Sequence, residues 1–362
     1  MGLKTRSGEL PYPGFLPDAT RGVVKSVSAE DLVEVGISGI MVNSIHLAGQ
    51  PGVNAISRLG GIHKFMGWSG PVMSDSGGFQ VYSLIAEQSK LGSVSDKGFS
   101  YRFSMDEEKR LVTPEKSIIH QFRLGTDVMF CLDECTHPDD SEERQVKSCE
   151  RTIAWARRCK AEFENRIANL NGDAQPLLFA VVQGGSSTEL RRLCVEQLLE
   201  IGFDGYGFGG WPVGADGALV DTVYQVAEML PQELPKHALG IGKPENLVRA
   251  YRAGYHLFDC ALPTRDARRK RLFVFNETPD MTGFKGSEFY HYIYLQDAKH
   301  AVASGPVDET CDCSCCKNYS RAYLHHLFKI GDALAERLAT IHNLRFYVRI
   351  LNALKEGVAD DE

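Results

Sequence analysis

Apolar residues along this chain gather into short unbroken runs, and four of those runs stop on a residue that can move a proton or make a hydrogen bond. Pro71 to Ser74 leads into Asp75, Asp127 to Leu132 into Asp133, Leu177 to Val182 into Gln183, and Gly254 to Phe258 into Asp259. Runs without polar alternation are expected of parallel strands buried on both faces, and in a closed parallel barrel the reactive groups stand at the strands' C-terminal ends. The four polar endings should therefore meet at one mouth. Three of them are carboxylates, and two carboxylates facing one sugar suit the cleavage of a glycosidic bond.

From residue 177 the pattern alternates regularly: strand, helix over 188–201, strand over 205–210, helix over 219–230, strand over 238–241, helix over 244–253 and strand over 255–259. Such alternation favours a parallel sheet with right-handed crossovers. Together with the earlier runs it gives about the eight units of a closed barrel. Upstream, after a polar opening, Ser28 with Asp31 three residues on marks a helix start. The apolar run from Ile37 to Val42 ends at Asn43 and His46. Residues 84–112, with alternating Phe99, Tyr101 and Phe103, predict an inserted hairpin. Thr113 and Pro114 open another helix, residues 142–168 have the mixed charge of a solvated amphipathic helix, and 319–340 predict one long helix. The expected fold class is α/β, an irregular (β/α)8 TIM barrel over 1–362 as a single domain.

Composition narrows the chemistry. Lys and Arg total 40 against 47 Asp and Glu, a net charge of −7, so general positive charge cannot be the means of holding a polyanion, and a local basic patch would be needed. The run Arg265-Asp-Ala-Arg268-Arg269-Lys270-Arg271 is such a patch, placed directly after Asp259 where a phosphate backbone would lie at the mouth. No stretch approaches the roughly 20 apolar residues of a membrane span, and the N-terminus has no apolar signal core. A cytoplasmic protein with no membrane partner is expected. Six of the ten cysteines are scattered through strands and helices and are expected to be reduced core thiols.

Each candidate site residue also has a bland explanation. Asp75 precedes Ser76-Gly77-Gly78-Phe79; the glycines permit close backbone approach to a flat ligand and Phe79 can lie on a ring, or the segment is simply a tight turn. Asp259 lies in an apolar run, so it must be functional or paired, with Arg265 or Lys243 as candidate partners. Asp133 and Gln183 offer an acceptor and an amide to the edge of a purine-like base, and Gly209-Gly210 again permits close backbone contact. Cys311, Cys313 and Cys316 with His342 form a tetrahedral set with no open position, which points to one structural Zn2+ per chain. Cys315 could replace Cys316, and His325 or His326 could replace His342, although His342 just past the expected helix is favoured.

These stretches closely resemble the tRNA-guanine transglycosylases (queuine tRNA-ribosyltransferases) of the bacterial type. The matching segments include LGGIHKFMGW (59–68), DSGGFQV (75–81), LDECT (132–136), VVQGG (181–185), GIGKPE (240–245), FDCALPTR (258–265) and CDCSCCKNYSRAYLHHLF (311–328), and they cover about residues 20–350. The resemblance implies a (β/α)8 barrel with a zinc-binding subdomain, here 270–342, inserted before the last barrel helix. It implies a homodimer that replaces guanine at the anticodon wobble position of tRNA with a free 7-deazaguanine base. Asp259 is then the nucleophile at ribose C1′ and Asp75 the general acid/base. Asp133, Gln183 and the backbone at Gly210 hold the base and Phe79 stacks on it, with Lys243 counted among the substrate-binding residues. Arg265 and Arg268 fall where flanking nucleotides are contacted.

Three departures bear on specificity. Trp211 stands where the family has small or aliphatic residues and reshapes the base pocket. Ala215 replaces a Glu that helps select the incoming base, with Asp216 as a possible substitute. Arg269-Lys270 replaces the usual Asn-Gly. The altered basic run suggests an alternative substrate, DNA in place of tRNA. A non-catalytic RNA-binding partner subunit is a second alternative, opposed by the retention of both Asp75 and Asp259.

Overall fold

The structure is a computed structural model and describes residues 1–168, 170, 175–277, 284 and 288–359. Eight strands make one parallel sheet: β1 (Gly14–Pro17), β2 (Ile40–Asn43), β3 (Val72–Asp75), β4 (Val128–Phe130), β5 (Leu177–Val182), β6 (Gly205–Phe208), β7 (Lys236–Ala238) and β8 (Leu257–Cys260). Their order is β1-β8-β7-β6-β5-β4-β3-β2. A parallel bridge between Asp18 and Met41, with the Ala19 N–H 2.7 Å from the Met41 carbonyl, joins the two ends. With helices between successive strands, this is the (β/α)8 barrel that the pattern predicts.

Closure explains why the strands look uniformly apolar. Alternate side chains point to opposite faces of a strand. Leu16, Met41, Met73, Val128, Phe130, Phe179, Val181 and Leu257 fill the barrel interior as one buried cluster, while Val42, Val72, Met129, Leu178, Ala180, Val182 and Phe258 pack outward in the larger cluster that includes the helices. Burying Phe130 or Phe179 contributes roughly 2–3 kcal/mol each. The hairpin of Gly2–Thr5 and Gly8–Pro11 adds Leu3 and Leu10 to the interior cluster. It covers the N-terminal end of the barrel, where Arg6, Ser7 and His63 all bond to the buried Asp127 at 2.7–3.1 Å. The opposite end stays open. Strand parity aims Asn43, Asp75, Gln183 and Asp259 inward there, two residues beyond Met41, Met73, Val181 and Leu257.

Several expected boundaries move. The opening segment, expected to be merely polar, contains β1, a four-residue buried strand hidden by Pro13 just before it and by Pro17 at its own end. The strand expected over 238–241 lies at Lys236–Ala238 instead, because Gly240 (φ 72°) turns the chain away. The strand expected over 205–210 ends at Phe208. Within 84–112, the helix Gly78–Glu87 runs into the segment, and three antiparallel strands follow (Gly92–Ser95, Gly98–Tyr101, Arg110–Val112) rather than a hairpin of two. Phe99 is buried there with its ring edge-on to Trp155 at 5.1 Å. The single helix expected over 319–340 is two helices. Gly331 ends Arg321–Ile330 in the left-handed region (φ 74°), Asp332 accepts from the Leu334 N–H at 2.8 Å, and the second helix is Ala333–Ala359. Its periodicity survives the break, which is why sequence pattern alone misses it. No helix among the described residues is long and apolar enough to cross a membrane.

Candidate active site and metal centre

A cavity of about 310 Å³ opens at the C-terminal ends of the barrel strands, and Asp75, Phe79, Asp133, Gln183, Gly210 and Asp259 all line it. Asp75 ends β3. Its Oδ1 accepts from the Gly77 N–H (2.9 Å), and Oδ2 accepts from Asn43 Nδ2 (3.0 Å) and Gln80 Nε2 (3.2 Å). Burial, and then the nearby Asp259 carboxylate, push its pKa from 3.8 up to about 8. Two neighbouring carboxyls in a desolvated site cannot both ionise cheaply. Asp259, on β8, faces it across the barrel closure. Asp259 Oδ1 lies 2.8 Å from His237 Nε2 and 3.1 Å from the Gly240 N–H. The cations expected as its alternative partners, Arg265 and Lys243, do not pair with it.

Asp133 and Gln183 meet on the neighbouring wall. Gln183 Nε2 donates to Asp133 Oδ2 at 2.7 Å and Ser76 Oγ to Oδ1 at 3.1 Å. Burial raises the Asp133 pKa to about 6 despite these bonds, so it remains an anion at neutral pH. Gln183 Oε1 is buried without a partner among the described residues. Gly78 backs this wall so closely that a Cβ on it would stand 2.5 Å from the Asp133 carbonyl oxygen. Arg191, which the sequence did not single out, is buried against the same loops. Its guanidinium donates to the carbonyls of Val182 (2.6 Å), Gly209 (2.8 Å) and Gly185 (3.0 Å), tying the Gln183-Gly-Gly loop to the Gly209-Gly210 loop.

Phe79 is half-exposed at the mouth with its ring 5.9 Å from Trp211, edge-on, and Trp211 in turn lies 5.1 Å from the His137 ring. Trp211 therefore forms part of the cavity wall, as its unusual size suggested. Asp216 does not take the place of the missing carboxylate in that wall: its Oδ1 accepts from the Ala218 N–H at 2.9 Å within a surface turn, away from the cavity lining. Lys243 also stays outside the cavity, with Nζ 3.5 Å from the Gly217 carbonyl. Arg265 and Arg268 sit on the helix Leu262–Arg268 that follows β8, Arg265 exposed and Arg268 donating to the Thr264 carbonyl. They stand beside the mouth rather than in it.

The sequence signals differ for the residues it missed. Asn43 and Gln80 lie in stretches already marked as unusual, yet nothing local said that both would bond to Asp75. His237 was hidden by the misplaced strand.

A second cluster forms near the C-terminus. The donor atoms of Cys311, Cys313, Cys316 and His342 all lie within 4.8 Å of one another, and all four residues are buried. The open choices are thereby resolved. Cys315 lies outside the set, and His325 is engaged instead with the Leu295 carbonyl. His342 is inside the last helix, not past the end of a preceding one. Its Nε2 donates to the Phe273 carbonyl at 2.7 Å, which leaves the Nδ1 lone pair facing Cys316 Sγ at 3.2 Å. Three thiols and an imidazole held in this way fit one tetrahedral metal ion.

Comparison with known proteins agrees with this arrangement. The family model described as Queuine tRNA-ribosyltransferase matches residues 2–362. A protein of that name from Psychrobacter sp. (strain PRwf-1) is 38% identical over 356 residues, covering 98% of this chain and 88% of its own length. Another from Pseudoalteromonas atlantica is 39% identical over 363 residues, with 99% and 90% covered. A third, from Thermoanaerobacter pseudethanolicus, is 38% identical over 360 residues, with 99% and 89% covered.

Proposed function

The chain belongs to the queuine tRNA-ribosyltransferase family, a family of pentosyltransferases, and on that premise we propose that it exchanges guanine at the tRNA anticodon wobble position for a 7-deazaguanine base through a covalent ribosyl-Asp259 intermediate. The observation that carries this reading is the pair of carboxyls on one cavity, one of which has its pKa raised to about 8. At neutral pH Asp75 then holds a proton to give, while Asp259 is free to act as the nucleophile.

In the first step an Asp259 oxygen bonds to ribose C1′ as the C1′–N9 bond breaks, and Asp75 protonates the departing guanine. In the second, Asp75, now a carboxylate, takes the N9 proton of the incoming base, whose nitrogen bonds to C1′ as the C1′–O bond to Asp259 breaks. Two displacements give net retention. The target nucleotide must be unstacked first, which costs least in a loop.

Asp133, Gln183 and the Gly210 backbone hold the base, and Phe79 stacks on it. A cavity of about 310 Å³ suits a ligand of that size. Arg265 and Arg268 hold phosphates flanking the target, and Lys243 contacts the substrate beyond the cavity. The Cys3His set binds a structural Zn2+ in a subdomain spanning 270–342. Zinc there would link the 311–316 loop to the last helix and supply folding energy rather than chemistry. The protein works in the cytoplasm as a homodimer.

The test is direct. Incubated with tRNA and run on a denaturing gel, the protein should give a shifted covalent band that Asp259→Asn abolishes, and labelled guanine should enter tRNA. A wild-type protein that exchanges guanine with no such band would sink the covalent reading.

A further inference from the structure

His237 stands on β7 with its side chain inside the barrel, fully buried, and its Nε2 2.8 Å from Asp259 Oδ1. The register pairs His237 with Leu257, so Asp259 is the next inward-facing residue along the neighbouring strand. The Phe130 ring lies edge-on to the imidazole at 5.5 Å. Nδ1 is buried with no hydrogen-bond partner among the described residues. A ring proton on Nδ1 would be stranded, so the proton sits on Nε2 and is donated to Asp259. The Gly240 N–H reaches the same oxygen at 3.1 Å. Oδ1 thus has two donors, and Oδ2 receives no hydrogen bond from the described residues.

We infer that His237 is a positioning residue for the nucleophile. Together with the Gly240 amide it fixes Oδ1, leaves Oδ2 as the attacking oxygen, and stabilises the carboxylate as it departs from the ribose. This rests on the covalent reading above. When Oδ2 bonds to C1′, Oδ1 becomes the ester carbonyl oxygen and gives up part of its negative charge, so both hydrogen bonds weaken. When the incoming nitrogen bonds to C1′, the electron pair of the breaking C1′–Oδ2 bond returns to the carboxylate, and charge reappears on Oδ1 directly beneath two N–H donors. Preorganised donors aimed at developing charge lower a barrier on the side where the charge appears. His237 therefore accelerates the breakdown of the intermediate, whereas on the forward step its hydrogen bond stabilises the starting carboxylate and gives no acceleration.

The experiment follows the covalent band. Enzyme and tRNA are mixed, excess guanine is added, and the band's decay is timed by rapid quench for wild type, His237→Phe and His237→Gln. Phe keeps the ring and removes the donor, whereas Gln carries an amide N–H at comparable reach. Loss of a hydrogen bond to a charged group should slow decay in the Phe variant by about tenfold to a hundredfold. More covalent RNA should accumulate at steady state, kcat/KM for tRNA should stay within about twofold while kcat and KM fall together, and Gln should restore most of the rate. Thermal melting of both variants reports folding separately. Decay in the Phe variant within about twofold of wild type, or a Gln variant as slow as Phe, overturns the inference while leaving the covalent reading intact. Absence of the band in wild type overturns both.

Discussion

Replacing Asp75 by Asn should make the protein less stable than its parent at pH 4 and more stable at pH 8.5. An acid whose pKa is raised on folding imposes a penalty that is absent below its unfolded value and grows as the pH climbs to its folded value. Here the rise is from 3.8 to about 8, and about 1.36 kcal/mol per pKa unit caps the penalty at about 6 kcal/mol above pH 8 and about 4 kcal/mol at pH 7. Asn removes it, at a cost. Of the three donors on Asp75, Gly77 N–H keeps an acceptor while the Asn43 and Gln80 amides meet a nitrogen. Two broken bonds cost about 2 kcal/mol together. The net effect is a loss of about 2 kcal/mol at pH 4 and a gain of about 1–4 kcal/mol at pH 8.5. For a chain of 362 residues, about 1 °C of melting temperature corresponds to each kcal/mol. Thermal melts of both proteins from pH 4 to pH 9 read the crossing directly. A difference that stays flat over that interval would refute the raised acid, since bond breakage alone has no reason to change sign. Exchange activity should be lost throughout.

Three further outcomes follow from other parts of the molecule. If the Cys3His set holds zinc, the wild type should carry about one zinc per chain and Cys313→Ser should carry little, with loss of much of the local stability, because apparent zinc binding of about 10–16 kcal/mol doubles as folding energy; full occupancy in that variant rejects the ligand set. Gly78→Ala places a methyl 2.5 Å from the Asp133 carbonyl oxygen and 2.8 Å from its Oδ1, so the Asp133 segment must shift and guanine KM should rise by about tenfold or more; thermal melting reports the fold separately, and an unchanged KM in a folded variant contradicts the role of Asp133. Removing Arg265 and Arg268 together should weaken tRNA binding and flatten the log-affinity versus log-salt slope by about 0.7 for each phosphate that is no longer neutralised. An unaltered slope means that neither residue meets the backbone.

The positions of Asp75, Asp133, Gln183 and Asp259 were legible in the sequence because each closes an apolar run, and a strand's two-residue period and its end are encoded within a few neighbouring residues. The ligand set at Cys311, Cys313 and Cys316 was nearly as plain, since its spacing is local. Tertiary structure alone decided what those residues became. Asp75 and Asp259 are 184 positions apart and meet only because β1 and β2 close the barrel between them; desolvation and charge repulsion, which set Asp75's pKa, act through space and leave no trace in local pattern. His237 needed the true end of β7 to face inward. The choice of Cys316 over Cys315, and of His342 from within the last helix, required the turn at Gly331 and the Phe273 carbonyl that orients the imidazole. Periodicity tells which way a side chain points along its own strand, but not what waits on the other side of the cavity.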